Sequence, residues 1–290
     1  MIVIGCSKSK ELAKKIAKKL KARYSELIVK KFPDNELKVR YNTNVKNQTI
    51  ILVQSFYGSI NDDLIETIFA SYTAKDLGVK KVILVAPYFP YLRQDKRFNP
   101  GEAVSIHIIG DLADHFWDEI YIIDPHLHRE KTLSHIFKIK AHRLTANPLI
   151  VDYIKKKIKN PVIIGPDWES YKWARKVAVK VGCESAIMKK RRYSARKVKV
   201  TLNKKIDIRS KNLIFIDDMI STGHTLLEAI KAMKKLGAKK VTCFAVHGIL
   251  VENALQKLQR AGAKVITTNT IPNKASKIDV SSLITNHLKN

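Results

Sequence analysis

Two adjacent acids, Asp217 and Asp218, follow the apolar stretch Ile214–Ile216 and run into a turn of Ser221, Thr222, Gly223 and Thr225. The hydroxyls of such a turn, with the backbone N–H groups that open a following helix, make a seat for a phosphate. Carboxylates repel phosphate, so the two acids suit a different part of a phosphorylated sugar, its vicinal hydroxyls. On the residues alone, the same string is also an ordinary N-capped helix with acids nearby. His224 sits within the turn, where it either hydrogen-bonds the phosphate or faces solvent.

Other segments offer complementary groups. In YLRQDKR, Tyr91 to Arg97, the Arg93 guanidinium presents paired donors to phosphate oxygens, and Gln94 can read a base edge. IIDPHLHR, Ile122 to Arg129, sets His126 just beyond an apolar run, with His128 as a competitor. FPDNE, Phe32 to Glu36, reads as a Pro-Asp turn flanked by an aromatic ring and two acids. KKRRYSARKVKV, Lys189 to Val200, is strongly basic and on composition alone suits phosphates, a nucleic-acid patch or a solvated hairpin.

The elements that must hold these groups come in duplicate. MIVIGCSKSKELAKKIAKKL, from Met1, matches PVIIGPDWESYKWARKVAVKV, from Pro161. TIILVQSFYGSINDDLIETI, from Thr49, matches NLIFIDDMISTGHTLLEAI, from Asn212, and KDLGVKKVILVAPYF, from Lys75, matches KKLGAKKVTCFAVHG, from Lys234. The three pairs keep their order at an offset of roughly 160 residues, as one duplication requires. Near-continuous apolar runs at Ile2–Ile4, Ile50–Val53, Val82–Ala86, Ile120–Ile123, Val162–Ile164, Leu213–Ile216 and Val241–Val246 read as parallel strands buried on both faces. Helices expected over Asp62–Leu77 and Thr225–Leu236 each end at a Leu-Gly stop. The fold class expected is α/β, with two homologous parallel-sheet domains and flanking helices, over residues 1–146 and 147–290. Ligands of such sheets collect beyond the carboxyl ends of the strands, so the polar turns after those strands are where function is expected.

Composition limits the partners. Hydrophobic residues are 45% of the 290, enough for sizeable cores. No apolar stretch reaches the roughly 18–20 residues of a membrane span, and the apolar start is too short for a signal-peptide core. Three scattered cysteines suit a reducing compartment. A soluble, cytoplasmic protein with no membrane partner is the expectation. Lys and Arg number 54 against 26 Asp and Glu, a net charge of +28 that attracts phosphorylated ligands. Much of it lies on helices such as AKKIAKKLKAR, where it decorates a solvated face, so no nucleic-acid partner is expected.

Taken together, the motifs resemble the ribose-phosphate pyrophosphokinases, and the resemblance covers nearly the whole chain. IDDMISTGHT is similar to the ribose 5-phosphate loop shared by that family and the type I phosphoribosyltransferases, whose fold each half would adopt. It implies Asp217, Asp218, Ser221, Thr222, Gly223, His224 and Thr225 as ribose 5-phosphate residues, His224 standing where a small residue is usual. FPDNE resembles the family's FPDGE, implying that Phe32, Asp34 and Glu36 serve ATP across a subunit interface. Asn35 takes the usual glycine's place, and asparagine tolerates the left-handed backbone that the turn needs. YLRQD resembles YARQD, implying Arg93 and Gln94 as ATP contacts. His126 falls at the family's metal- or ATP-contacting histidine, with Asp167 of IIGPDWE as the second Mg²⁺ ligand, and a hydrated magnesium suits such a donor pair. The KRR core implies Lys190 and Arg192 as catalytic cations on a flexible loop. The resemblance thus implies Mg²⁺-dependent transfer of diphosphate from ATP to ribose 5-phosphate by a homo-oligomer, at least a dimer. The alternatives are a phosphoribosyltransferase, which leaves the duplication, FPDNE and YLRQD unexplained, and an inactive regulatory relative, which the four residues Lys190, Arg192, Asp217 and Asp218 argue against.

Overall fold

The computed structural model describes residues 1–127, 132–166, 168–192, 198–204 and 206–289; at 168–170, 172, 189–192 and 198–200 it describes the backbone alone. The first unit runs β1 (Ile2–Gly5), α1 (Lys10–Leu20), β2 (Arg23–Lys31), β3 (Leu37–Tyr41), β4 (Thr49–Val53), α2 (Ile60–Asp76), β5 (Lys81–Ala86), α3 (Ser105–Phe116), β6 (Glu119–Ile123) and β7 (Lys140–Leu144). The second runs α4 (Asn147–Lys157), β8 (Pro161–Gly165), α5 (Trp168–Val181), β9 (Glu184–Arg192), β10 (Val198–Leu202), β11 (Asn212–Ile220), α6 (His224–Lys235), β12 (Lys240–Gly248), α7 (Ala254–Arg260), β13 (Ala263–Thr268) and β14 (Ser276–Ile278), and the chain closes with α8 (Ser281–Leu288).

The two sheets share one topology, strand for strand. Their orders are β3-β2-β1-β4-β5-β6-β7 and β10-β9-β8-β11-β12-β13-β14. Each is parallel except at one edge, where a hairpin (β2 with β3, β9 with β10) pairs antiparallel. The sheets are therefore mixed rather than purely parallel. The central strands are buried on both faces, with Ile50–Val53 and Leu213–Ile216 at 0% exposure, which is why they read as unbroken apolar runs. Helices α2 and α6 stop where expected, at Gly78 (φ 78°) and Gly237 (φ 95°). Each unit has its own core; in the first, Phe89 packs edge-on against Phe56, Trp117 and Phe137 at centroid distances of 5.5, 6.2 and 5.9 Å.

The units divide between Thr145 and Ala146, but Val280–Asn290 group with the first unit, not with the second as the sequence reading has it. Helix α8 packs against α1 and buries Val280 and Ile284 completely.

Candidate active site

The diacid string is built on β11. Its apolar part, Leu213–Ile216, lies in the core, but the strand runs on through Asp217–Ile220, because β12 continues beside it with Ala245, His247 and Gly248 opposite Asp217, Met219 and Ile220. Both acids are half-buried. The Asp217 carboxylate accepts the Asp218 N–H at 3.0 Å, and the Asp218 carboxylate accepts the Met219 N–H at 2.7 Å. Burial, with the charge of Asp217 adding to it, pushes the Cys243 thiol on β12 up to about 12, so this cysteine stays protonated.

After Ile220 the chain turns through Ser221 and Thr222 to Gly223, which caps α6 in the left-handed conformation (φ 71°, ψ 10°). A Cβ at this position would lie 3.3 Å from Leu258 Cδ1 and 3.5 Å from Ala254 Cβ, so glycine is needed both for the angle and for the approach of α7. No side chain caps the first turn of α6, whose N–H groups are left for an anion. Ser221, Thr222 and Gly223 are half-buried there, while His224 and Thr225 are exposed. The helix starts at His224, one residue earlier than expected.

A buried polar network behind this loop is absent from the motif reading. His247 Nδ1 lies 3.0 Å from Thr270 Oγ1, and the Thr268 and Thr270 hydroxyls both donate to the Val246 carbonyl, at 2.7 and 2.9 Å. The Leu250 N–H donates to the Ile220 carbonyl at 2.9 Å. These bonds fix the end of β12, which in turn templates the diacid end of β11. The run TTNT, Thr267 to Thr270, is its one trace in the sequence.

The basic segment is not a loop throughout: Lys189–Arg192 belong to β9, where Lys190 pairs with Val200 and Arg192 with Val198 of β10. Residues 193–197 and Asp167 lie outside the described residues, and the side chains of Lys190 and Arg192 are not described.

In the first unit, Arg93 and Gln94 lie in the long connection after β5, Arg93 exposed and Gln94 half-buried. Glu102 organises that connection. Its carboxylate accepts the N–H groups of Phe98 (2.9 Å) and Asn99 (3.0 Å) and the Asn99 amide (2.6 Å), and it meets Gln94 Nε2 at 3.5 Å. Those bonds, the Asn99 amide's first, hold Glu102 below the usual carboxylate range. His126 is half-buried in the turn after β6, the neighbour of β5, so both segments leave the same end of the sheet. FPDNE is the tip of the β2–β3 hairpin, closed by bonds from the Phe32 N–H to the Glu36 carbonyl and from the Asn35 N–H to the Phe32 carbonyl, each 2.9 Å. Asn35 has φ 72°, the left-handed turn that its type tolerates. Asp34 and Glu36 are exposed, as is Phe32 at 46%, with Lys38 Nζ 5.8 Å from its ring centroid.

The first unit has no second diacid. By strand register Gln54 and Ser55 stand where the other half has Asp217 and Asp218. Its own side chains fill the strand ends: Gln54 Oε1 accepts the Lys8 N–H at 3.0 Å, Glu66 accepts the Ser7 N–H at 2.8 Å, and Asp63 accepts the Tyr57 N–H at 3.2 Å. Burial raises Asp63 to about 7 and raises Glu66 as well.

Among the described residues no three His, Cys, Asp or Glu gather to hold a metal by themselves. A Mg²⁺ ion of the kind that draws most of its ligands from phosphate and water needs few donors from the protein. No helix among the described residues is long and apolar enough to cross a membrane.

Comparison with known proteins follows the two halves. Residues 1–115 match the family model for the N-terminal domain of ribose phosphate pyrophosphokinase, and residues 133–284 match that for the phosphoribosyl transferase domain. Ribose-phosphate pyrophosphokinases of Methanothermobacter thermautotrophicus and Pyrococcus furiosus are each 36% identical, over 99% of this chain and 100% of the relative. Ribose-phosphate pyrophosphokinase 2 of Archaeoglobus fulgidus is 37% identical with the same coverage. The crystal structure of the phosphoribosylpyrophosphate synthetase from Mycobacterium smegmatis superposes with a TM-score of 0.85 at 26% identity, covering 99% of this chain and 97% of that one.

Proposed function

The chain belongs to the ribose-phosphate pyrophosphokinase family, and from that premise we propose how its own residues carry the activity. It is a ribose-phosphate diphosphokinase, transferring a diphosphate group from ATP to ribose 5-phosphate. The observation that carries the assignment of parts is the β11 end: two half-buried acids, then a glycine-capped helix whose first turn is free of side-chain caps.

Ribose 5-phosphate sets its phosphate on the first turn of α6, among Ser221, Thr222, Gly223, His224 and Thr225, and its ring hydroxyls on Asp217 and Asp218. The acids accept from hydroxyls and repel a misplaced phosphate, so they fix which end of the sugar enters. Arg93 and Gln94 hold the triphosphate and purine of ATP, with His126 beside them. Phe32, an exposed ring at a hairpin tip, stacks on the adenine of a neighbouring subunit, with Asp34 and Glu36 alongside, so the working unit is at least a dimer. His126 and Asp167 would hold Mg²⁺ with the nucleotide, and the ion would supply neutralisation of phosphate charge.

The sugar's C1 hydroxyl attacks the β-phosphorus in line, its bond to the α-phosphate bridging oxygen breaks, and AMP departs with that oxygen. The proton passes from the attacking hydroxyl to water as the new P–O bond forms. Lys190 and Arg192, at the end of β9, stabilise the charge that spreads over the transferring phosphate oxygens. Orientation supplies much of the remaining acceleration, since no covalent intermediate is required. The assignment of the acids is tested by Asp218→Asn, which should raise the KM for ribose 5-phosphate at least about tenfold with the KM for ATP little changed. Equal effects on both substrates would remove the acids from the sugar site.

A further inference from the structure

The connection that carries Arg93 and Gln94 bends at Tyr91 through φ 61°. A bulky side chain rarely adopts that left-handed angle, which glycine takes without strain. A tyrosine there must be held by something outside its own backbone. The core takes Phe89 and Leu92, each 3% exposed, but leaves the Tyr91 ring outside at 39%. Hydrogen bonds to two helix starts hold it instead. The Tyr91 hydroxyl donates to Asn61 Oδ1 at the beginning of α2, and the Tyr91 carbonyl accepts from Ser105 Oγ, the first residue of α3, at 2.8 Å. Three residues on, the Gln94 carbonyl accepts the Ile106 N–H of the same α3 turn at 3.3 Å. Asn61 is itself a fixed point. Beside it Asp62 pairs with Lys31 at 2.6 Å, and the Asp63 N–H donates to the Ser59 carbonyl at 2.9 Å. The segment Tyr91–Gln94 thus hangs between two helix starts, with Arg93 as the exposed side chain it presents.

We infer that Asn61 is a positioning residue for the nucleotide: through the Tyr91 hydroxyl it holds the strained turn that aims the Arg93 guanidinium at the triphosphate. Backbone strain of this kind collects where a structure must keep a group in one place. An arginine on a free loop gives up backbone freedom when phosphate binds. One whose backbone is already tied at Tyr91 and Gln94 gives up less, and the difference appears as affinity. Water can satisfy the exposed Tyr91 hydroxyl if Asn61 is lost, but water cannot hold the turn. Tyr91 then relaxes toward φ < 0, and Arg93, two residues on, leaves its line to the phosphates. The role of Asn61 rests on the contact proposed above between Arg93 and the triphosphate.

The test is calorimetric binding of Mg²⁺-ATP to the purified full chain without sugar, beside KM values from AMP release. The variants are Asn61→Leu, Asn61→Asp, Tyr91→Phe and the double Asn61→Leu/Tyr91→Phe. Asn61→Leu and Tyr91→Phe should each weaken ATP binding roughly two- to tenfold, the range of one hydrogen bond, and raise the KM for ATP alike. The kcat, the KM for ribose 5-phosphate and the melting temperature should hold, since the bond lies at the surface. The double variant should be no worse than either single one, because both remove the same bond. Asn61→Asp keeps an oxygen acceptor and should bind ATP more tightly than Asn61→Leu. A merely structural bond would instead lower the melting temperature and leave ATP binding alone. Tyr91→Phe, which removes a single oxygen, decides the matter if the Asn61 variants fail to fold. Wild-type ATP binding in Tyr91→Phe, losses that add in the double variant, equal effects on both substrates, or an Asn61→Asp no better than Asn61→Leu each overturns the inference. The two readings separate on the same samples. ATP binding weakened in the variants of a wild type that releases no AMP keeps the positioning role and loses the diphosphate transfer. Sugar-dependent AMP release with ATP binding untouched in the variants does the reverse.

Discussion

Replacing Gly223 by alanine strains, at one atom, the loop proposed to seat ribose 5-phosphate. The residue sits at φ 71°, where a side chain costs roughly 1–2 kcal/mol through the clash of Cβ with the following carbonyl. The new methyl would also stand 3.3 Å from Leu258 Cδ1, on a fully buried leucine that has little room to yield. That contact is tight without being a collision, so the total stays near 2 kcal/mol. The strain has two outlets. If the loop keeps its shape, the second unit loses that stability and its melting temperature falls by several degrees. If the loop relaxes toward φ < 0, the first-turn N–H groups of α6 swing off the phosphate. At 1.4 kcal/mol per tenfold, the KM for ribose 5-phosphate then rises about five- to thirtyfold while that for ATP holds. The assay is AMP release against each substrate, with a thermal melt on the same preparation. A variant with both its melting temperature and its sugar KM unchanged would refute the placement of the phosphate at this turn.

Two further outcomes follow from other parts of the molecule. Phe32→Ala removes an exposed ring that supports no core, so it should leave the melting temperature unchanged and raise the KM for ATP several-fold; an unaltered ATP KM would remove the hairpin from the nucleotide site. Burial holds Asp63 at about 7 in the folded chain against an ordinary 3.8, with Lys8 partly opposing and Glu66 reinforcing the shift. The unfolded chain therefore sheds this proton from about pH 4 and the folded chain only near 7, so stability falls as pH rises between them, by up to about 4 kcal/mol. Asp63→Asn should flatten the pH dependence of the urea midpoint between pH 4 and 7, and a slope equal to wild type would contradict the buried, protonated carboxyl.

Much of this architecture is legible because the central strands are covered on both faces. A run such as Ile50–Val53 has no polar alternation to confuse it, and its duplicate at Leu213–Ile216 announces the second unit. The edge hairpins are harder to read. RYSELIVKK mixes charged and apolar residues because β2 is only partly covered, and β9 carries its pairing into KKRR, where charge masks the strand. The docking of α8 depends on α1, more than 250 residues away in sequence, and no local period encodes it. In the site, Asp217 and Asp218 stand out as adjacent acids at a strand end, and Asn35 as a turn residue. Glu102 and the His247–Thr270 pair do not, since their roles come from hydrogen bonds that only the folded connections create.

The most direct test of the whole account is AMP release from ATP and Mg²⁺, with and without ribose 5-phosphate, for wild type and Lys190→Ala. The account predicts AMP only when the sugar is present, and at least about a hundredfold less from the variant, as charge-stabilising contacts typically contribute. AMP formed without the sugar, or none from well-folded wild type, would contradict the diphosphate transfer; full activity in Lys190→Ala would contradict the role given to the end of β9.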